Sequence, residues 1–351
     1  MAADATVSTP LSRLRTPSVS SALGSIVVLL IGVWLVVNLI KTPGDFFEVT
    51  SIGITNGCVY ALVALGYTLV YGILELINFA HGDVFMLGGM FTITYSTHFF
   101  NLHNGQGPVI VLIVTGTLIL TMATCGLLNA MIEFFAYRPL RSAPRLAPLI
   151  TAIGVSFIIE DVALAVWGPE YVNLSHYDLP RSPIFSIGTF DYRWNKLIAA
   201  IITVPVLLLL TYLIRSTRQG KAMRATAQDM DASAMMGINV NRTISFTFLI
   251  AGALAGAAGI VYSLYFTSVK FDQGFQLGLI AFTSAVVGGI GNLQGAVLGA
   301  VLIGLLQGYN EGLGWHAPGS DWTQSIVFAI LILILVFRPA GLLGEQTPEG
   351  G

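Results

Sequence analysis

VFMLGGMFTITYSTHFFNLHNGQGPVIVLIVTGTLILTMATCGLLNAMI fills residues 84–132 without a single Asp, Glu, Lys or Arg. A helix crosses the hydrocarbon layer of a bilayer with about 20 apolar residues. The run is therefore too long for one crossing and fits two. NLHNGQGP at 101–108 supplies the Gly, Pro and Asn that punctuate a helix, which predicts helices at 84–100 and 109–132. Working outward, similar oily runs lie at 23–40, 51–73, 146–167, 197–214, 243–266 and 323–337. The uncharged stretch 273–310 must hold two more elements, divided at GGIGNLQG (288–295). The expectation is an all-α, polytopic helical membrane protein with about ten membrane segments, the eighth short enough to be re-entrant. Composition agrees: 55% of the 351 residues are apolar and only 10% charged, where a soluble domain carries about 25% charge.

Ten crossings put both termini on one side. With the N terminus inside, the inner connections hold eleven Lys and Arg and the outer ones five, which the positive-inside rule favours. Residues 1–22, Ser/Thr/Pro-rich with Arg13 and Arg15, then form a flexible cytoplasmic tail. Residues 23–345 form one transmembrane domain and 346–351 a short tail. The first oily run lacks an Ala-x-Ala cleavage site, so it is expected to be retained as a helix. A net charge of −2 without a basic block gives no footing for nucleic acid. Cys58 and Cys125 both lie in oily runs and suggest neither a disulfide nor a thiolate metal site.

Where the second run ends, NFAHGDVFMLGG (78–89) brings Asn78, His81 and Asp83 together. Zinc needs three or four ligands, and the other histidines, His98, His103, His176 and His316, are scattered. A structural turn at the inner face accounts for the stretch. Gly82 permits a tight bend, Asn78 satisfies backbone groups and Asp83 caps the next helix. A gating or coupling role stays open beside it. Glu160 and Asp161 sit in the far half of an oily run, where acids are functional by default. They mark either an interfacial helix end or a polar pathway.

RSTRQGKAMRATAQDMDASAMMGINVNRT (215–243) is too charged to span a membrane. KAMRATAQDMDASAMM is rich in good helix formers, and Gly237 suits a helix stop. The segment is expected to form a short inner helix, either docking a cytoplasmic partner or lying amphipathically on lipid. AGALAGAAGIVYS sets Gly252 and Gly256 at the spacing that lets membrane helices approach closely. No GxxxxGK[ST] loop is present, so any ATP drive comes from a partner chain. VVGGIGNLQG lacks the strand–helix context of a dinucleotide fingerprint. No nucleophile, base and acid fall together as a catalytic set, and no metal or cofactor site is expected.

YALVALGYTLVYGILELINFAHGDVFMLGG (60–89), AYRPLRSAPRLAPLITAIGVSF (136–157), 220–260 and AFTSAVVGGIGNLQGAVLGA (281–300) together resemble the membrane permeases of bacterial branched-chain amino-acid ABC transporters, most closely the H-subunit type. The likeness covers about 50–345. The first helix with its basic tail is a departure, because typical members begin near the second run.

The resemblance implies a permease in the cell inner membrane, paired with a second homologous permease. Two cytoplasmic ABC ATPases bind beneath, and a periplasmic or extracytoplasmic binding protein delivers leucine, isoleucine or valine. A helix at about 221–236 would dock in the ATPase. Lys221, Arg224, Asp229, Asp231, Ala232, Gly237 and Ile238 are its coupling residues, and the match to the transporter coupling motif is loose at DAS (231–233). The solute route would run between the permeases along small residues, with Gly57, Gly66, Glu160, Asp161, Gly252 and Gly256 as candidates. Asn78, His81, Gly82 and Asp83 would form an inner-face element beside it. The rivals are a related importer of urea, short amides or other amino acids, a secondary transporter working alone, and a membrane enzyme.

Overall fold

The computed structural model describes residues 19–100, 108–141, 143–144, 146–174, 183–187 and 190–344. The expected terminal tails, apart from 19–22 at the front, lie outside them. Twelve α-helices occur among the described residues: α1 (Val19–Lys41), α2 (Pro43–Leu74), α3 (Ala80–Thr94), α4 (Pro108–Ile132), α5 (Leu146–Trp167), α6 (Trp194–Ser216), α7 (Arg218–Gln228), α8 (Met230–Met235), α9 (Val240–Phe266), α10 (Gln273–Gly288), α11 (Leu293–Gly312) and α12 (Ser320–Phe337). Two short antiparallel pairs join β1 (Val172–Asn173) to β4 (Ser268–Val269) and β2 (Pro183–Ile187) to β3 (Phe190–Arg193).

The chain is an all-α multi-pass membrane protein. Seven of the helices are long and apolar enough to cross a bilayer. The short ones are the informative exceptions. α3 has 15 residues and α10 has 16, which at 1.5 Å per residue reach about 24 Å at most, less than the hydrocarbon thickness. α3 gains a π-turn at Tyr95–Phe99, while α10 starts from β4 and runs only part of the way.

α2 and α9 form the centre, with 78% of the most apolar stretch of each buried, against 22% for α5 and 11% for α12. Lipid supplies no hydrophobic drive between helices, so close van der Waals approach must do the work. Glycine provides it along the helix seams. A methyl at Gly53 would stand 2.8 Å from the Leu305 Cα, and one at Gly57 2.9 Å from that of Val301, so α2 and α11 lie backbone against backbone. Ser and Thr in these helices bond one turn back, as Thr92 Oγ1 does to the Gly88 carbonyl at 2.7 Å and Ser263 Oγ to Gly259 at 2.9 Å. Hydroxyls bonded in this way carry no unpaired cost in the core, whereas Thr68 Oγ1 of α2 and Thr117 Oγ1 of α4 are buried without a partner among the described residues. Outward, Leu208, Leu209 and Tyr212 of α6 and Val336 and Phe337 of α12 are exposed, as a lipid-facing belt requires.

GGIGNLQG is the tight connection the sequence predicts. Gly289 and Gly291 adopt φ of 110° and 94°, which side chains with a Cβ resist. The Asn292 side chain caps α11 by accepting from the Gln294 and Gly295 amides at 3.0 and 3.1 Å. The chain after α12 returns to this corner, with Leu342 and Leu343 amides bonded to the Val287 and Gly288 carbonyls at 2.9 Å.

The expected single helix over 221–236 is two. Asp229 is extended, at φ −157° and ψ 113°, and separates α7 from α8. Its carboxylate accepts the Ala232 amide at 2.8 Å, so an aspartate inside the predicted helix is the N-cap of a new one. The stop at Gly237 stands: its φ is 83°, and the Gly237 and Ile238 amides bond back to Ala234 and Ser233 at 3.0 Å. Part of the polar loop 168–195 is strand: β1, β2 and β3 fall in it, β1 pairing with β4 after α9 and β2 with β3. The C-terminal ends of α5 and α9 are tied together by the β1–β4 pair.

Candidate functional site

The corner between α2 and α3 departs from the expected structural turn capped by Asp83. α2 ends at Leu74 with Glu75 in the left-handed region, φ 52°. The non-helical stretch then reaches only to Phe79, the N-cap of α3. Asp83 is therefore no cap but lies inside the first turn of the helix. Asn78, His81 and Asp83 are all buried, the last two completely.

Their neighbours set the depth. Asp83 accepts a short hydrogen bond from Ser156 Oγ, and Ser156 stands at the middle of α5. The His81 ring fills the space left by Gly66 of α2, and a methyl at Gly66 would also stand 3.3 Å from the Ala251 carbonyl, near the middle of α9. Tyr67 meets the His81 ring edge-on at 4.8 Å between centroids. The Tyr137 hydroxyl donates to Asn78 Oδ1 at 2.7 Å. So the first turn of α3 lies level with the middles of α5 and α9, not with their ends. Glycine permits this descent: a methyl at Gly82 would stand 2.8 Å from the Gly278 Cα of α10, and one at Gly274 2.7 Å from the Asp83 Cα. The first turn of α10 meets Asp83 there, and free amides and the helix dipole at such an end favour a carboxylate.

The coupling segment shows the opposite environment. α7 turns back under α6, with Gly220 set against the Leu213 and Ile214 carbonyls where no side chain fits. Arg224 donates to the Ile214 carbonyl, closing the end of α6. Gly220, Met223 and Thr226 face the body of the protein, and α7 packs on α2, α6 and α9. Lys221, Arg224, Asp229, Asp231 and Gly237 are exposed, while Ala232 and Ile238 are half-buried. At the tip, Met235 and Met236 are 82% and 83% exposed. The sequence reading counted these methionines as helix formers and missed their display.

Gly57, Gly66, Gly252 and Gly256 each have a packing partner within the chain. Gly57 meets Val301 and Gly66 meets His81. Gly252 lies against Cys125 and Asn129, and Gly256 against Thr121 and Cys125. Glu160 is half-buried and Asp161 exposed. The two stand on α5 beside exposed Phe157, Ile158 and Val162, and Asp272, next to α10, is within electrostatic reach of Glu160.

A further cluster went unread in the sequence. Glu133 is fully buried at the start of a π-turn, Glu133–Tyr137, that ends α4. Arg138 Nε lies 3.4 Å from it, and Arg141 makes a closer contact. Ser245 Oγ of α9 donates to Glu133 at 2.6 Å. Arg141 also reaches Asn241 Oδ1 at 2.5 Å. The available signal was an acid closing a long uncharged run, with two arginines five and eight residues on.

Between the α2 and α6 ends, α7 and the α10–α11 corner is a cavity of about 580 Å³, lined by Thr68, Gly72, Arg215, Arg224, Asn292 and Gln294 among others.

Residues 49–336 match the family model described as branched-chain amino acid transport system / permease component. The high-affinity branched-chain amino acid transport system permease protein BraD of Pseudomonas aeruginosa is 36% identical over 300 residues, covering 85% of this chain and 95% of that protein. The corresponding permease protein LivH of Escherichia coli K12 is 35% identical over 301 residues, with the same coverage. The autoinducer 2 import system permease protein LsrD of Salmonella paratyphi B is more distant, 23% identical over 250 residues, 65% of this chain and 67% of that protein. No solved structure matches the chain significantly. The family match, the spanning helices and the exposed polar segment between α6 and α9 agree: this chain belongs to the family of permease components of branched-chain amino acid transport systems.

Proposed function

We propose that the chain is the transmembrane permease subunit of an ATP-driven importer of leucine, isoleucine and valine in the cell inner membrane. It forms half of the solute path with a second homologous permease, takes solute from an extracytoplasmic binding protein, and is driven by two cytoplasmic ABC ATPases. The observation that carries the coupling half of this reading is the tip of α8. Two adjacent methionines, 82% and 83% exposed, project from a charged segment that no membrane can hold. Methionine is flexible and polarizable and recurs at binding surfaces, and a displayed apolar pair flanked by Asp229 and Asp231 suits a cleft in a partner protein. ATP binding closes the ATPases and moves α7–α8, so the free energy enters at 218–238 and not at the buried residues of α3.

On this reading, Glu160 and Asp161 face the path. A carboxylate turned to lipid is costly, whereas the water between two permeases accepts it. The glycine candidates contribute by letting α2, α4, α9 and α11 close tightly behind that face.

Co-purification tests the reading. Tagged chain from native membranes is expected to bring a second hydrophobic permease and two ATPase polypeptides, and vesicles holding the set are expected to take up labelled leucine only with ATP and the binding protein. Uptake by the chain alone on an ion gradient would replace it with a secondary transporter. A binding protein that takes autoinducer or amide ligands and not leucine would retain the importer and change its solute.

A further inference from the structure

We infer that the buried Glu133 cluster is the joint through which movement of the coupling segment reaches the helices around the membrane core. The inference rests on the docking role proposed for α7–α8 and adds residues that role does not include.

α9 starts at Val240, a few residues after α8 ends, so any displacement of α8 is delivered first to the opening turns of α9. Those turns carry Asn241 and Ser245. Ser245 Oγ bonds Glu133 at 2.6 Å and accepts from Arg138 at 2.6 Å, and Asn241 accepts from Arg141 at 2.5 Å. These are the side-chain bonds that the cluster makes to α9. On the other side, Glu133, Arg138 and Arg141 bind one another within the end of α4 and the connection to α5. The same π-turn holds Tyr137, whose hydroxyl bonds Asn78 at 2.7 Å. Asn78 leads into α3, and Asp83 of α3 bonds Ser156 at the centre of α5. One five-residue turn thus connects the start of α9 with α3, α4 and α5.

The chemistry suits a joint better than a plain brace. A buried carboxylate between two guanidiniums holds its geometry tightly, since loss of either sign leaves an uncompensated charge. A π-turn carries one residue more per turn than an α-turn, and such bulges concentrate at functional positions in helices. Shifting it along the helix would reorient the residues between its old and new positions, the kind of second arrangement that a transmission element needs. Glu133, Ser245 and Asn241 are positioning residues on this account. They touch neither solute nor nucleotide.

Ser245→Ala combined with Asn241→Ala severs the cluster from α9 and leaves the Glu133 ion pairs intact. In vesicles holding the whole transporter, the double variant is expected to assemble, to melt within several degrees of the wild type and to hydrolyse ATP within about twofold of it. Solute moved per ATP is expected to fall about tenfold, within the range single residues exert on coupling. Ser245→Thr, which keeps the hydroxyl, is expected to restore the ratio in the Asn241→Ala background to at least half. An unchanged ratio in the double variant overturns the joint, as does a loss of melting temperature with the ratio preserved. Failure of Asp231→Cys to crosslink to the ATPases overturns the docking role itself, whatever Ser245 does. Crosslinking with an unchanged ratio overturns the joint alone.

Discussion

The stretches 78–83 and 218–238 read alike in the sequence. Both are polar, both interrupt oily runs, and both are expected at the inner face. The structure sends them to opposite environments. His81 and Asp83 are completely buried, level with the middle of α5 and α9, whereas Asp229, Asp231 and the two methionines stand free of the body. The difference lies in the available partners. In 78–83 Asn78 and Asp83 each meet one fitted neighbour, Tyr137 at Asn78 Oδ1 and Ser156 at Asp83 Oδ2, while Asn78 Nδ2 and Asp83 Oδ1 have no hydrogen-bond partner among the described residues, and glycines on three helices make room. In 218–238 the charges outnumber anything the membrane could pair, so water keeps them. Polarity alone does not set depth; the ability of the surroundings to satisfy it does.

The sharpest way to break the contrast is Gly82→Leu. It forces a branched side chain against the α10 backbone, and overpacking on this scale costs about 3 kcal/mol or more. Loss of monodisperse protein in detergent is expected; normal folding would mean that α3 does not descend as described. Next is Met235→Glu with Met236→Glu. ATPase capture and uptake are expected to fall about a hundredfold, ~2.8 kcal/mol of docking. Because both side chains are exposed, melting should move by no more than about 0.5 kcal/mol. Full ATPase capture by this variant would remove the tip of α8 from the interface.

Asp83→Ala separates the two regions from the other side. It strips the Ser156 hydroxyl of its acceptor, at a cost of about 1–3 kcal/mol, and lowers thermal stability and uptake together. Asp83→Asn keeps an acceptor and is expected to lose less of both. Unchanged melting for the alanine variant would contradict the buried Ser156–Asp83 bond. The smallest effect is expected from Asp229→Ala, which removes the α8 cap at about 1 kcal/mol. Amide exchange over 230–236 should quicken while global melting holds, and uptake should fall only a few-fold.

Much of the architecture was legible. Uncharged runs of the right length located the helices, and α5 begins and ends where the runs predict. Gly237 and GGIGNLQG were read correctly as stops, because a positive φ leaves a glycine signature. Asp229 was misread because an aspartate between good helix formers passes for a surface residue; only its extended backbone shows the break. The α9 half of the Glu133 cluster was invisible for another reason. Two of its members, Asn241 and Ser245, lie a hundred residues or more along the chain from their partners Arg141 and Glu133. No local pattern announces such a pairing.

The sequence by itself determined that this chain lives in a bilayer, how its helices are spaced along it and which segment stays in water, because those properties depend on counts of apolar and charged residues over the thickness of the membrane. Tertiary structure alone decided that α3 starts in the core, which neighbour each candidate glycine seats, and that Glu133 ties the start of α9 to the end of α4. Burial of a polar group is settled by partners from distant parts of the chain, and those partners are brought within reach only when the helices pack.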